Sequence, residues 1–190
     1  MFQIRLHGRG GQGVVSGAEI LSVAAFIEQK HAQAFPSFGS ERMGAPVQAF
    51  CRIDSQSIRS REPVTTPDCL IIQDPTLLSQ IPDLFAGLAP DGYVLLNTSQ
   101  PREKFTQQTL RSLPEGHFVT VDASVIAKKH LGRPLPNAAL IGAFAALTGQ
   151  LSLTSVQQAV IEKFADKAGA ANAAAAADAF AVISPIPVPA

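Results

Sequence analysis

A glycine-rich segment near the start of the chain carries the clearest structural signal: residues 2–29 read FQIRLHGRGGQGVVSGAEILSVAAFIEQ. Phe2, Ile4 and Leu6 alternate with polar residues, which is the pattern of a β-strand. From Val14 to Gln29 the apolar positions recur at helical spacing. The segment therefore predicts a strand, a glycine loop and a helix in direct succession.

The glycine loop has the spacing G-x-G-x-x-G, with glycines at positions 8, 10 and 13. Glycine lets the backbone approach a ligand closely, and the N-terminus of the following helix attracts anions such as phosphate. Arg9 adds a positive charge, and Gln12 adds an amide that can donate or accept. The same glycines would also make a tight turn without any ligand, and the motif alone leaves both interpretations open.

Two known nucleotide-binding patterns do not fit. A nicotinamide-binding unit places an acidic residue about 20 residues after the glycines, at the end of the second strand. The second predicted strand, residues 32–36, has neither Asp nor Glu at its end. No Gly-Lys-Ser/Thr follows the loop, so it is not a P-loop either.

A second informative loop follows at residues 36–46, PSFGSERMGAP. If the sheet is doubly wound, this loop leaves it near the glycine loop. Arg42 could clamp a phosphate or carboxylate in bidentate geometry, and Glu41 could orient that arginine or pair across an interface. Because so much glycine, proline and hydroxyl implies a specific backbone geometry, we favour a ligand or an interface over a solvated loop.

The rest of the chain alternates strand and helix patterns. We expect a strand at 47–53 with a hairpin turn at 54–57 leading into Ile58, strands at 69–73, 93–96 and 118–121, and helices at 122–131, 137–147, 155–164 and 166–182. These elements predict an α/β fold: an open, mostly parallel twisted sheet with flanking helices (Rossmann-like), plus a β-hairpin and C-terminal helices. We expect one domain, residues 1–182, and a proline-rich tail, residues 183–190.

Composition narrows the classes of function. The formal net charge is zero, which argues against nucleic-acid binding. No long apolar run argues for a membrane, and no signal pattern is seen, so we expect a cytoplasmic protein. Charged residues make up only 16% of the chain, which suggests burial against partner chains unless the alanine-rich residues 171–181 distort the count.

Side chains that could do chemistry are scarce. The two cysteines, Cys51 and Cys69, lie in apolar strand-like runs and cannot hold an iron–sulfur cluster or a structural zinc. Any redox centre is therefore expected on another chain. No catalytic set and no metal-ligand spacing is visible. His7, beside the glycine loop, has the most suggestive placement of the histidines, but a structural role is the better interpretation.

Four segments together resemble the gamma subunit of 2-oxoacid:ferredoxin oxidoreductases of the pyruvate synthase type. They are GRGGQGVVSGAEIL, QAFPSFGSERMGAPVQAFCRID, CLIIQDPTLL and GRPLPNAALIGAFAALTG. The resemblance extends from about residue 2 to residue 164. The glycine loop by itself is shared with the related indolepyruvate oxidoreductases.

The resemblance implies a subunit of an assembly with alpha, beta and delta chains. Such enzymes decarboxylate a 2-oxoacid on thiamine diphosphate with Mg, pass electrons through iron–sulfur clusters to ferredoxin, and transfer the acyl group to coenzyme A. Thiamine diphosphate, Mg and the clusters belong to partner chains. The gamma unit helps to build the coenzyme A side of the active site, and coenzyme A needs no ribose-binding carboxylate. The expected 2-oxoacid is pyruvate, with 2-oxoisovalerate, 2-oxoglutarate or an aryl pyruvate as alternatives.

Coenzyme A contacts are therefore expected at two groups of residues, with no catalytic residue and no metal ligand on this chain. The groups are Gly8, Arg9, Gly10, Gly11, Gln12 and Gly13 in the first loop, and Ser37, Ser40, Glu41 and Arg42 in the second. Two alternatives remain: a purely structural interface subunit of the same complex, in which some of these residues contact the alpha chain, and a stand-alone dinucleotide-binding protein.

Overall fold

The computed structural model describes residues 1–37 and 43–184. A short 3-10 turn, Arg102–Lys104, precedes the third helix. The strands are β1 (Phe2–Arg9), β2 (His31–Pro36), β3 (Pro46–Asp54), β4 (Cys69–Ile72), β5 (Tyr93–Asn97) and β6 (Phe118–Val121). The helices are α1 (Val14–Ile27), α2 (Leu77–Gln80), α3 (Gln108–Ser112), α4 (Ala123–Leu131), α5 (Asn137–Thr148), α6 (Leu153–Lys163) and α7 (Asp166–Ile183).

The strands form one sheet in the order β2-β3-β1-β4-β5-β6. β1, β4, β5 and β6 run parallel to one another, whereas β3 pairs antiparallel with both β1 and β2. The predicted α/β fold, with a mostly parallel open sheet, is confirmed. Since β2 and β1 both run opposite to β3, they point the same way but are separated by one strand.

The strand that we expected to form a hairpin with Ile58, β3, pairs with β2 and β1 instead. We expected the turn at 54–57 to lead into a strand at Ile58, but residues 55–60 form no strand. Instead β3 pairs with β2 before it, with His31 opposite Asp54 and Pro36 opposite Ala49. The other edge of β3 is taken by β1. Because both edges are already paired, no ladder position remains for a strand at Ile58.

Helices cover one face of the sheet, which we call the first face. α1, α4, α5, α6 and α7 pack there around Ile4, Leu6, Leu95 and Phe144, all wholly buried. The second face has a smaller apolar cluster under α2, α3 and the connections between them, built on Leu70, Ile72, Val94, Leu96, Leu110 and Phe118. Because β4 and β5 are covered on both faces, their sequences are continuously apolar.

The two cysteines and four alanines of α7 are buried in the core. Cys51 and Cys69 are fully buried and unpaired, and burial raises the pKa of both thiols. In α7 the alanines at 173, 175, 176 and 179 are buried. There the helix crosses α5 so closely that a Cβ on Gly142 would overlap the backbone of Ala176. The alanine-rich segment is therefore a tightly packed helix of this chain's own core.

Helix ends follow the sequence closely, with one exception. Asp122 caps α4 by accepting from the backbone N–H of Val125 at 3.0 Å, and Gly149 ends α5 in the left-handed region. For α6 we expected a start at residue 155, but Ser152 caps the helix by accepting from the N–H of Ser155 at 3.1 Å. Ser155 is drawn inward instead, and is 2% exposed.

Candidate ligand site at the carboxyl edge of the sheet

The glycine loop lies where the sheet changes its direction of winding. The chain leaves β1 towards β2 on one side of the sheet and leaves β4 towards β5 on the other. β1 and β4 are parallel neighbours, with His7 opposite Ile72. In open α/β sheets, ligands bind in the crevice that forms outside the carboxyl ends of two such strands. The predicted loop, Gly8–Gly13, begins at this point.

Side chains from two parts of the chain, the loop itself and the end of β4, hold the loop closed. The backbone N–H of Arg9 donates to Oε1 of Gln12 at 2.8 Å, and the N–H of Gln12 donates back to the carbonyl of Arg9 at 2.9 Å. The Nε2 of Gln12 reaches Oδ2 of Asp74, just after β4, at 3.1 Å. The loop is thus fastened to the end of the neighbouring strand.

Each nitrogen of the Arg9 guanidinium donates within this chain. Its Nε donates to Oδ2 of Asp74 at 2.8 Å, and its Nη1 donates to the carbonyl of Gly44 at 3.0 Å. Its Nη2 donates to Oγ1 of Thr76 at 2.6 Å and to Oε1 of Gln80 at 2.7 Å. The predicted ligand contact of Arg9 stays a prediction, but in this structure the side chain positions the loop.

The two loops singled out in the sequence meet here. The N–H of Gly10 donates to the carbonyl of Ala45 at 2.9 Å, and the N–H of Gly44 donates to the carbonyl of Gly10 at 3.1 Å. Of the predicted contacts in the second loop, Ser40, Glu41 and Arg42 lie outside the described residues. Ser37 is described, but it lines a cleft on the second face of the sheet, not the glycine loop.

Close approach explains why glycine is needed at two positions. Gly13 has a φ of 73° and stands directly before α1, where an added Cβ would overlap the side-chain amide of Asn137, the first residue of α5. At Gly8 a Cβ would come within 2.6 Å of Cγ2 of Val14. These glycines therefore bring α1, α5 and the end of β1 into direct contact.

The N-terminus of α1 is left without a cap. No side chain caps it and its first turn contains no acidic residue. Among residues 1–37 and 43–184, the backbone N–H groups of Val14, Val15 and Ser16 find no acceptor. Unpaired N–H groups together with the positive end of the helix dipole favour an anion. Gly11, at the tip of the loop before this helix, is exposed.

Polar residues that sequence reasoning did not select complete the edge. The Nε2 of Gln73 donates to Oδ1 of Asn137 at 3.1 Å, and the Nδ2 of Asn97 donates to the carbonyl of Gln73 at 2.8 Å. The buried Oε1 of Gln73 has no partner among the described residues. Gln73 and Asp74 follow β4, Asn97 ends β5, and Asn137 starts α5. Their positions at the ends of buried strands and at the start of a helix are the sequence signal that could have identified them.

The topology gives a second argument against a nicotinamide cofactor. In the dinucleotide fold the ribose carboxylate ends the strand beside β1. Here β3 lies between β1 and β2, so the end of β2 is about 10 Å from β1, two strand spacings away. Even an acidic residue at the end of β2 would therefore lie too far from the glycine loop to bind the ribose of a nucleotide there.

The side chain of His7 lies inside the fold. It is 1% exposed, and burial, with the neighbouring charge of Arg5, lowers its pKa to about 3.

Within residues 1–37 and 43–184, no three His, Cys, Asp or Glu side chains gather as a metal-ligand set. None of the described helices has both the length and the apolar character to cross a membrane.

Comparison with known proteins decides the family. The family model for pyruvate ferredoxin/flavodoxin oxidoreductases matches residues 3–182. The chain belongs to this family. Among curated members, the common gamma subunit of pyruvate/ketoisovalerate oxidoreductases from Pyrococcus abyssi is 46% identical over 180 residues, covering 95% of this chain and 96% of that one. The resemblance to the gamma subunit drawn from the sequence is confirmed.

Solved structures of the oxidoreductase family share the fold. Pyruvate oxidoreductase subunit PorC from Thermotoga maritima matches with a TM-score of 0.79 and 34% identity, over 95% of each chain. The 2-oxoglutarate:ferredoxin oxidoreductase of Magnetococcus marinus, solved with 2-oxoglutarate, coenzyme A and succinyl-CoA bound, matches with a TM-score of 0.73 and 19% identity. This match covers all of the present chain but 32% of the other, and at this identity it shows the fold alone.

Proposed function

We propose that this gamma subunit contributes to coenzyme A binding and to assembly in a thiamine-diphosphate-dependent 2-oxoacid:ferredoxin oxidoreductase. The uncapped N-terminus of α1, at the winding switch between β1 and β4, carries the proposal. Its free N–H groups suit a phosphate, and coenzyme A has a pyrophosphate and a 3′-phosphate. A structural neighbour of the family holds coenzyme A, which supports the ligand class.

The residues divide into two roles in this proposal. The backbone N–H groups of Val14, Val15 and Ser16 offer donors to a phosphate, and Arg42 adds a cation. Arg9, Gln12 and Asp74 hold that backbone in place. Coenzyme A would be the acyl acceptor of the reaction, while thiamine diphosphate, Mg and the iron–sulfur clusters would be held by alpha, beta and delta chains. Ferredoxin would dock on the complex, which we expect in the cytoplasm with pyruvate as its substrate.

The test places an acidic residue in the first turn of α1 within the purified complex. Ser16→Asp should raise the KM for coenzyme A about tenfold or more, because a carboxylate beside the phosphate repels it. The same change favours the helix itself, so stability should not fall. Ser22→Asp, farther along the same helix, is the matched control and should leave that KM unchanged. Equal KM values for both variants in intact complexes would rule out a phosphate at this helix end.

One observation favours the interface alternative. Met43 is 88% exposed, and its Sδ lies beside Gly11 at the tip of the loop. A large apolar side chain at that position suits contact with a partner chain. If the glycine loop packs on a partner, Met43→Ser should weaken assembly of the complex, whereas a loop devoted to coenzyme A leaves assembly intact. Size-exclusion chromatography of the co-expressed subunits separates the two outcomes.

A further inference from the structure

The second face of the sheet carries a cleft away from the glycine loop. It has a volume of about 370 Å³, and Arg5 and His7 of β1 lie in its wall. Gln48 and Phe50 of β3 add an amide and an aromatic ring, and Val64 and Asp83 come from two connections that cover this face. Pairs of polar groups and an aromatic wall in one concave space are typical of small-molecule sites.

Arg5 fixes the hydrogen-bonding state of His7. The Nε of Arg5 donates to Nε2 of His7 at 3.0 Å, so that nitrogen must be the acceptor of the ring. The lowered pKa keeps the imidazole neutral, and its hydrogen therefore lies on Nδ1. Nδ1 is buried and has no partner among residues 1–37 and 43–184. This unused donor belongs to a residue that lines the cleft.

Arg5 itself is a buried cation without a salt bridge. It is 7% exposed, and its Nη2 donates to the carbonyls of Leu84 and Ala86, both at 2.9 Å. None of the ion pairs within the described ranges involves Arg5, and Asp83 acts on it only at longer range. Its Nη1 donates to none of the described residues. Because burying an unpaired charge is unfavourable, an anion beside Nη1 would stabilise the fold.

We propose that this second-face cleft binds a carboxylate, carried by a small molecule with an apolar substituent, through the Nδ1–H of His7 and Nη1 of Arg5. Both groups donate, and a carboxylate has two oxygens that only accept. Phe50 and Val64 supply the surface for the apolar part. The carbonyls of Leu84 and Ala86 hold the guanidinium rigid, so little freedom is lost on binding. The inference does not rest on the proposed coenzyme A site.

Benzoate and its neutral analogue benzamide are suitable probes for the full chain labelled with ¹⁵N-histidine. Titration with benzoate should produce a saturable shift of the His7 ring nitrogens. Benzamide should bind at least about tenfold more weakly, because it lacks the charge that Arg5 recognises. No shift at His7, or equal binding of the two compounds, would overturn the proposal.

Two variants test the named groups. His7→Phe removes the donor and should weaken benzoate binding about tenfold or more. Because His7 is buried and its loss could disturb folding, Asp83→Asn provides an independent test at an exposed position. Removal of that negative charge should tighten benzoate binding several-fold, while Asp91→Asn, an exposed carboxylate outside the cleft, should have no effect. Equal affinities for the Asp83→Asn and Asp91→Asn proteins would contradict the proposed site.

The carboxylate could come from a free acid or from a side chain of a partner subunit. Equilibrium dialysis of benzoate against the assembled complex separates these sources. If the free chain and the complex both bind one benzoate per gamma subunit, the site serves a small molecule. If only the free chain binds it, a partner side chain fills the cleft, and the small-molecule assignment is wrong.

Discussion

The Nε of Arg9 donates to Oδ2 of Asp74 at 2.8 Å and so joins the glycine loop to the end of the neighbouring parallel strand. Asp74 uses its other oxygen, Oδ1, to accept from the N–H and hydroxyl of Thr76 at 3.0 and 2.6 Å. Desolvation opposes ionisation, but the bonds from Thr76, Gln12 and Arg9 outweigh it and lower the pKa of Asp74. The ion pair is therefore the central fastening of the site.

Removing either partner should destabilise the chain. We expect Arg9→Ala and Asp74→Asn each to lower the free energy of unfolding by about 1–3 kcal/mol, because the remaining group loses partly buried bonds. The double variant should lose less than the sum, by about 1 kcal/mol, since both changes break the same contact. Urea denaturation of the four proteins gives this coupling energy. Full additivity would show that the two side chains act independently.

Substitutions at Gly13 and Gly149 distinguish the cost of backbone strain from the cost of steric overlap. Both have positive φ, of 73° and 63°, but only Gly13 faces a neighbour, Asn137; nothing lies within 4 Å of a Cβ at Gly149. Gly149→Ala should therefore cost about 1 kcal/mol, the backbone term alone. Gly13→Ala must also displace Asn137, and we expect a loss of about 3 kcal/mol or more. Thermal melts that show equal losses would mean that the amide moves aside freely.

Glu28 should contribute a pH-dependent part of the stability. Its Oε1 accepts from the N–H of Ser152 and the hydroxyl of Ser155, both at 2.6 Å, and Lys30 donates to Oε2 at 2.8 Å. Desolvation acts in the opposite direction, but the bonds from Lys30, Ser152 and Ser155 lower the pKa of Glu28 to about 2. This links the end of α1 to the start of α6.

Because the folded pKa of Glu28 is depressed, its stabilisation is complete above the ordinary glutamate value of about 4.3 and is lost as the pH falls towards 2. Glu28→Gln should lower the unfolding free energy at pH 7 by about 1–3 kcal/mol. The difference from the unmodified chain should shrink between pH 5 and about 2. Urea denaturation at several pH values measures it, and a difference independent of pH would exclude this role.

Cys51 and Cys69 should not react with thiol reagents in the native protein. Both are fully buried, and burial raises the pKa of each thiol. Because the thiolate is the reactive form, a thiol reagent at pH 8 should label neither residue until the chain unfolds. Mass spectrometry before and after denaturation counts the labels. Native labelling at Cys51, with Cys69 protected, would place the opening at β3.

Local patterns predicted most of the elements, and long-range pairing explains the errors. The alternation in β1 and the apolar run of β4 are each visible in a few consecutive residues. The partner of β3 is not, because residues 54–57 look like a turn whichever strand is paired. The role of Arg9 was equally hidden: its acceptors, Asp74, Thr76 and Gln80, follow much later in the sequence. From the sequence alone, a cation in a glycine loop could equally bind a phosphate or hold the loop in place through contacts within the chain.

The position of β1 has a consequence for synthesis of the chain. β1 precedes the other strands of this sheet in the chain, yet it is an interior strand, and its neighbours are β3 and, later still, β4. While residues 1–30 emerge, Gln12 and Arg9 have no Asp74 to meet. The glycine motif, though continuous in sequence, therefore gains these contacts only after β4 and the residues that follow it have been translated. A peptide of the first strand, loop and helix would carry the whole glycine motif but not Asp74, which joins the loop to the neighbouring strand.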